Sequence, residues 1–224
     1  MAVAAASTLF SAEPDKILHS KCLYPTVLVN NGVSTGTGFI VRSEKIGNEY
    51  RNVFVTCAHT LPVSYPIQFV AVGKYKDWSD FEGYQNYPCY YYAVDRKEDL
   101  AIGVFSTASP VCVADVDYEA KLYIGTEIFK VGCGLQDQFR LDYGKITSVN
   151  ASVESIFFNG YRTSTVTYSG DSGGPVFHDY KVHAVSNAVK LLNNNPIDNV
   201  AYAIPIKNVK NIKANLNISI DFVF

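Results

Sequence analysis

The sequence has no excess of charge of either sign and no long apolar run. Its 19 Lys and Arg residues are balanced by 21 Asp and Glu residues, which leaves a formal net charge of −2. Proteins that bind nucleic acid usually carry a clustered basic surface, and a membrane-spanning helix needs about 20 consecutive apolar residues. The sequence therefore predicts that neither nucleic acid nor a membrane is a partner.

Regular cysteine and histidine spacings are also missing. Five cysteines cannot all pair within one chain, no Cys-x-x-Cys spacing occurs, and the four histidines are scattered. A zinc site would need paired Cys or His ligands at short spacing. We therefore expect buried free thiols in a reducing compartment such as the cytoplasm, and no metal or other cofactor. The cysteines are Cys22, Cys57, Cys89, Cys112 and Cys133.

The N-terminal residues lack the basic region and the long apolar core of a signal peptide, although 1–12 are mostly small and apolar. We expect a loosely packed N-terminal arm over 1–20 instead. The chain as a whole is 48% hydrophobic and 18% charged, which is enough to bury one large core.

Helical periodicity is scarce until the end of the chain. Short β-branched or aromatic segments separated by turns predict an all-β protein with two packed antiparallel β-barrels, over 21–110 and 111–205. After Pro205, apolar residues at three- and four-residue steps predict a short amphipathic helix and tail over 206–224. The predicted strands are 26–30, 38–42, 53–57, 67–72, 100–105, 127–131, 144–149, 164–167, 175–178, 182–186 and 201–204.

The segment GDSGGP at 170–175 places Ser172 among glycines that can expose it and offer backbone amides to a substrate. A serine hydroxyl needs a base and a group that holds the base. His59 lies at the end of the predicted strand 53–57, and Asp99 directly precedes another apolar strand, with Asp95 as the reserve. These residues predict a catalytic triad in the chain order His, Asp, Ser.

Five ordered blocks together resemble the chymotrypsin-fold, trypsin-like serine peptidases, and in particular the HtrA/Deg-type protease domain without a PDZ domain. The resemblance implies a fold of two β-barrels of the chymotrypsin type, with the active site at their seam. It implies an oxyanion hole at Gly170, Asp171 and Ser172, formed mainly by the amides of the first and last. The blocks are TGTGFIV at 35–41, VTCAHT at 55–60, DLAI at 99–102, GDSGGPVF at 170–177 and NVAYAIPI at 199–206.

Asp171 departs from the asparagine that HtrA-type enzymes usually carry before the nucleophile. In trypsin-like zymogens this aspartate pairs with a newly released N-terminus, which here would require cleavage before Ile17. Bacterial secreted relatives pair it with an internal arginine instead. The resemblance therefore implies Arg140 as its partner, with Arg162 as the second candidate.

The resemblance also locates the substrate pocket. Its base would be Val166 and one wall Thr167, while Ser186, Asn187 and Ala188 would pair with an extended peptide. Because Val166 carries no charge, a small or medium apolar side chain at the cleaved position (P1) is expected.

Three functions follow from these features. The first is a serine endopeptidase that acts on extended protein or peptide segments through an acyl-enzyme. The second is a viral or phage processing protease that acts in cis on its own precursor in the host cell cytoplasm. The third is a catalytically silent relative that only binds peptides.

Overall fold

The computed structural model describes residues 15–32, 34–61, 68–76, 80–119, 121–134, 138–153, 156–192 and 195–212. Strands dominate these residues, and the first six close into an antiparallel barrel in the order β1-β2-β3-β6-β5-β4. Pairing of the first strand with the fourth completes the ring. The strands are β1 (Thr26–Asn30), β2 (Thr35–Ile46), β3 (Glu49–Cys57), β4 (Gln68–Tyr75), β5 (Phe81–Asp95) and β6 (Leu100–Thr107).

The second barrel has six strands in the order β11-β8-β9-β10-β13-β12, and pairing of β11 with β12 closes it. The two-residue strand β7 runs parallel to β12 at its outer side. The all-β prediction with two antiparallel barrels of the chymotrypsin type is confirmed. The strands are β7 (Asp115–Val116), β8 (Glu127–Gly132), β9 (Arg140–Val153), β10 (Ile156–Thr163), β11 (Pro175–His178), β12 (Lys181–Leu192) and β13 (Asn195–Pro205).

Neighbouring residues of β3 show why these sequences form strands. Phe54 packs inside the first barrel with Val27 and Ile40, whereas Val53 and Val55 point to the opposite face and join the largest apolar cluster. That cluster contains residues of both barrels and so lies between them. Side chains of a strand alternate between its two faces, and here both faces are buried, which explains the continuous apolar run.

Helical segments are short; besides a 3-10 turn over Ala58–Thr60 after β3, they include two near the start and one at the end of the described chain. A three-residue helix, Lys16–Leu18, begins at Asp15, whose carboxylate accepts hydrogen bonds from two backbone amides. The predicted arm over 1–20 is described only from Asp15 onward, and after this helix the chain continues into a π-helix over His19–Leu23. No helix in the described part of the chain is long and apolar enough to span a bilayer.

The end of the described chain differs in detail from the sequence-based prediction. The predicted closing helix begins where expected, but it is a 3-10 helix over Ile206–Asn211, and Leu216 of the expected apolar stripe lies outside the described residues. The predicted strand 164–167 is wrong, because strand β10 ends at Thr163 and a loop follows.

Candidate active site

His59 lies in a single 3-10 turn, Ala58–Thr60, directly after β3. Its backbone amide donates to Asp99 Oδ1 over 2.8 Å, and its ring Nδ1 lies 2.6 Å from Asp99 Oδ2. The Asp99 side chain is 6% exposed and the His59 side chain 44%. The carboxylate is therefore held behind the ring, and the imidazole is accessible to a substrate.

Asp99 adopts a left-handed backbone conformation with φ of 52° at the entrance to β6. Aspartate tolerates this conformation better than most residues. The reserve candidate, Asp95, has a different role, because its carboxylate accepts hydrogen bonds from the amides of Lys97 and Glu98 and so stabilises the turn before Asp99.

Asn187 supports Asp99 from the other side. Its side-chain Nδ2 donates to Asp99 Oδ2 over 2.5 Å and lies 3.6 Å from the sulfur of Cys57. The sequence-based prediction gave Asn187 only a role in pairing with substrate. A β-bulge between Ser186 and Ala188 accompanies this placement, and no local sequence pattern marks such a bulge.

Ser172 lies in the loop between β10 and β11, beside the same asparagine. Its hydroxyl donates to the Asn187 carbonyl over 2.9 Å, and not to the His59 ring. Its own carbonyl accepts from the Thr37 amide of the first barrel over 2.8 Å. The loop of the second barrel is thus fastened to the first barrel at the residue that carries the hydroxyl.

Two glycines shape this loop. Gly170 and Gly173 have φ of 101° and 89°, and a Cβ on Gly173 would lie 2.1 Å from the Thr37 carbonyl oxygen. Only glycine fits such a position. In the described residues, no hydrogen bond uses the amides of Gly170 and Ser172, so both can bind a substrate oxygen.

The Asp171 amide, in contrast, donates to the Tyr168 carbonyl over 3.1 Å. Its inclusion in the predicted oxyanion hole is therefore corrected, because this N–H already has a partner.

Asp171 is fully buried within a cluster of charges. Its Oδ2 accepts from Lys130 Nζ, from Arg140 Nη2 over 2.6 Å and from the Tyr168 amide over 2.9 Å. Asp142 completes the cluster, 3.1 Å from Arg140 and 3.6 Å from Lys130. Two cations and two carboxylates thus balance each other beneath the Ser172 loop.

The predicted partner Arg140 is found, but sequence reasoning missed Lys130, which is 1% exposed. Burial lowers the pKa of Lys130, and the neighbouring Asp171 opposes that effect. Strand alternation could have revealed this lysine, since it shares a strand face with the buried Ile128. The second candidate, Arg162, instead donates to Thr147 Oγ1, and Ile17 is 57% exposed in the N-terminal helix.

The predicted substrate-binding residues differ in their availability. Val166 is half-buried and Thr167 is buried, both in the loop after β10. Ala188 is half-buried in β12 opposite Tyr202. The main-chain groups of Ser186 already have internal partners, because its carbonyl accepts from the Gly173 amide and its amide donates to the Gly174 carbonyl, each over 2.7 Å. The pairing of Ser186 with a peptide stays a prediction.

Comparison with known proteins adds to this geometry. The model of the trypsin-like peptidase domain family matches residues 36–184. No curated protein sequence matches the chain. A crystal structure of a serine endoprotease from Yersinia pestis is similar, with a TM-score of 0.66 at 15% identity over 89% of this chain and 66% of that chain.

At this identity the structural match shows a shared fold, and the present chain spans just under two thirds of the Yersinia protein. The family model, however, covers more than half of the sequence and includes all three predicted triad residues. The chain therefore belongs to the family of trypsin-like peptidase domains.

Proposed function

We propose that the protein is an endopeptidase in which Ser172 is the nucleophile, His59 the general base and Asp99 the residue that orients His59. The contact between the Asp99 carboxylate and His59 is the main support for this proposal. Asp99 accepts hydrogen bonds from both the backbone and the ring of His59, which fixes the ring and leaves Nε2 to accept a proton.

The reaction begins when the Ser172 hydroxyl leaves the Asn187 carbonyl and turns toward His59. Its oxygen attacks the scissile carbonyl carbon while its proton passes to His59 Nε2. Asp99 stabilises the imidazolium, which then protonates the leaving amine. A water molecule, activated by the same histidine, hydrolyses the acyl-enzyme and regenerates Ser172.

The amides of Gly170 and Ser172 would bind the oxyanion of each tetrahedral intermediate. Their lack of other hydrogen-bond partners among the described residues supports this role. Each such donor contributes about 2.7–4 kcal/mol to stabilisation of the transition state. The buried Asp171 cluster would keep this loop in place without any newly released N-terminus.

An extended protein or peptide segment is the substrate that this arrangement favours. With Ser186 engaged internally, peptide pairing would start at Asn187 and continue to Ala188. Val166 and Thr167 offer no charge for a basic side chain, so we propose a small or medium apolar P1 residue.

The test is hydrolysis of an unfolded protein, with cleavage sites identified by mass spectrometry. Ser172→Ala and His59→Ala should abolish cleavage, whereas two controls outside the site, the exposed Ser106→Ala and the half-buried His19→Ala, should cleave like the wild type. Cleavage only of a longer precursor that contains this chain would favour the processing protease. Peptide binding without any cleavage would favour the silent relative and contradict the proposal.

A further inference from the structure

The proposed triad is divided between the two barrels, and Asn187 contacts both parts of it. His59 and Asp99 belong to the first barrel, whereas Ser172 and Asn187 belong to the second. The Asn187 side chain donates to Asp99 Oδ2 over 2.5 Å, and the Asn187 carbonyl accepts from the Ser172 hydroxyl over 2.9 Å. Among the described residues, no other group of the second barrel forms a hydrogen bond with His59 or Asp99.

The β-bulge of β12 makes this double contact possible. Ser186 and Ala188 lie opposite two consecutive residues of β13, so Asn187 is the extra residue of the bulge. A bulge can change the direction of a side chain relative to the regular alternation of a strand. Here the Asn187 side chain reaches Asp99 of the first barrel, while its carbonyl lies beside the Ser172 loop of its own barrel.

The Asn187 amide is oriented as a donor to the carboxylate. Its side chain is fully buried, its Nδ2 faces Asp99, and its Oδ1 has no hydrogen-bond partner in the described part of the chain. Half a turn of the amide would place Oδ1 against the carboxylate, and two acceptors cannot form a hydrogen bond. Since Asp99 Oδ2 also contacts His59 Nδ1, a carboxylate that Asn187 holds still keeps the imidazole ring in place.

We infer that Asn187 is a positioning residue that joins the two parts of the triad, an inference that rests on the proposed function. Its side chain acts through Asp99, which orients the His59 ring. Its carbonyl keeps the Ser172 hydroxyl in the same site before the reaction begins. A hydrogen bond to a charged group is stronger than one between neutral groups, so loss of the Asn187 side chain slows the chemical step, while main-chain pairing with a peptide remains.

The test compares two buried asparagines. Asn187→Ala and Asn187→Leu both remove the donor, and the first leaves space where the second fills it. Asn52→Ala is the matched control, because Asn52 is also fully buried, has no described partner for its Oδ1, and donates to Thr107 Oγ1 over 2.9 Å. The values of kcat and KM are measured with a peptide taken from a mapped cleavage site. Exchange of the His59 Nδ1 hydrogen with water is measured by NMR, which requires no hydrolysis.

We expect both Asn187 variants to lose about 10- to 100-fold in kcat, with KM within about twofold of the wild-type value. The His59 Nδ1 hydrogen should exchange at least about tenfold faster in these variants, whereas Asn52→Ala should match the wild type in kinetics and exchange.

Unchanged kcat or unchanged exchange in the Asn187 variants, or a rise in KM alone, would overturn the inference and leave the proposed function intact. Faster exchange in the Asn187 variants of a protein whose wild type hydrolyses no peptide would give the opposite result. The positioning of His59 and Asp99 by Asn187 would then stand, and the proposed function would fail.

Discussion

The buried charges beneath the Ser172 loop allow a sharp prediction about stability. Asp171 is fully buried, Lys130 is 1% exposed, and Arg140 is 28% exposed. Replacing Asp171 by Asn removes the carboxylate that both cations share. Lys130 would then retain only Asp142, at 3.6 Å.

Removal of one partner from a buried ion pair costs about 3–5 kcal/mol, because the other charge stays buried without compensation. We expect Asp171→Asn and Lys130→Met each to lower the free energy of unfolding by about this amount. The double variant removes both charges. Its loss of unfolding free energy should therefore be about 1–3 kcal/mol smaller than the sum of the two single losses.

Urea unfolding of the four proteins, followed by fluorescence, measures this double-mutant cycle. Lys210→Met is the matched control, since Lys210 forms an ion pair with Glu119 at the surface, where such pairs contribute about 0–1 kcal/mol. Single effects no larger than the control, or strictly additive effects, would refute the claim that these charges hold the loop.

Three further predictions concern the loop, a buried histidine and the thiols. Gly170→Ala should lower kcat about 10²–10³-fold with little change in KM. Gly170 has a φ of 101°, and the added Cβ would lie 2.8 Å from the Cys133 carbonyl oxygen, so the backbone would shift and displace an oxyanion donor. Unchanged steady-state kinetics would contradict this prediction. Burial lowers the pKa of His183 from its ordinary value of 6.5. Below pH 6.5 the unfolded chain therefore binds a proton that the folded protein does not, so the free energy of unfolding decreases as the pH is lowered. When the pH is lowered from about 7.5 to about 5.5, the urea midpoint should therefore drop less in His183→Gln than in the wild type. An equal drop in both proteins would contradict this effect of His183. Alkylation of the folded protein, mapped by mass spectrometry, should modify the exposed Cys112 first and the four buried cysteines only after unfolding. Early modification of Cys57 would contradict the burial of this residue.

Local pattern predicted much of the fold. Strands β1 and β11 have the expected bounds, since each is a short apolar run between clear turn residues. The long strand β5, Phe81–Asp95, was missed because it carries Pro88 and many polar residues. Its pairing with β4 and β6 holds it in the barrel, and such long-range pairing leaves little trace in the local sequence.

The candidate site could be predicted only in part for the same reason. The approach of Asp99 to His59 followed from ordered motifs, and the Asp171–Arg140 contact from family resemblance. Lys130 and the Asn187 side chain depend on strand register and on a β-bulge, which arise from tertiary pairing. The engagement of Ser186 by the glycine loop is likewise visible only once two segments meet in space.

The central claim is that Ser172 is activated by His59. A fluorophosphonate probe, followed by mapping of the modified peptide by mass spectrometry, tests it most directly. We expect a single adduct on Ser172 in the folded wild type, none in Ser172→Ala, and much slower labelling in His59→Ala. Absence of the adduct from correctly folded wild type, or an adduct on another residue, would contradict the activation of Ser172 by His59.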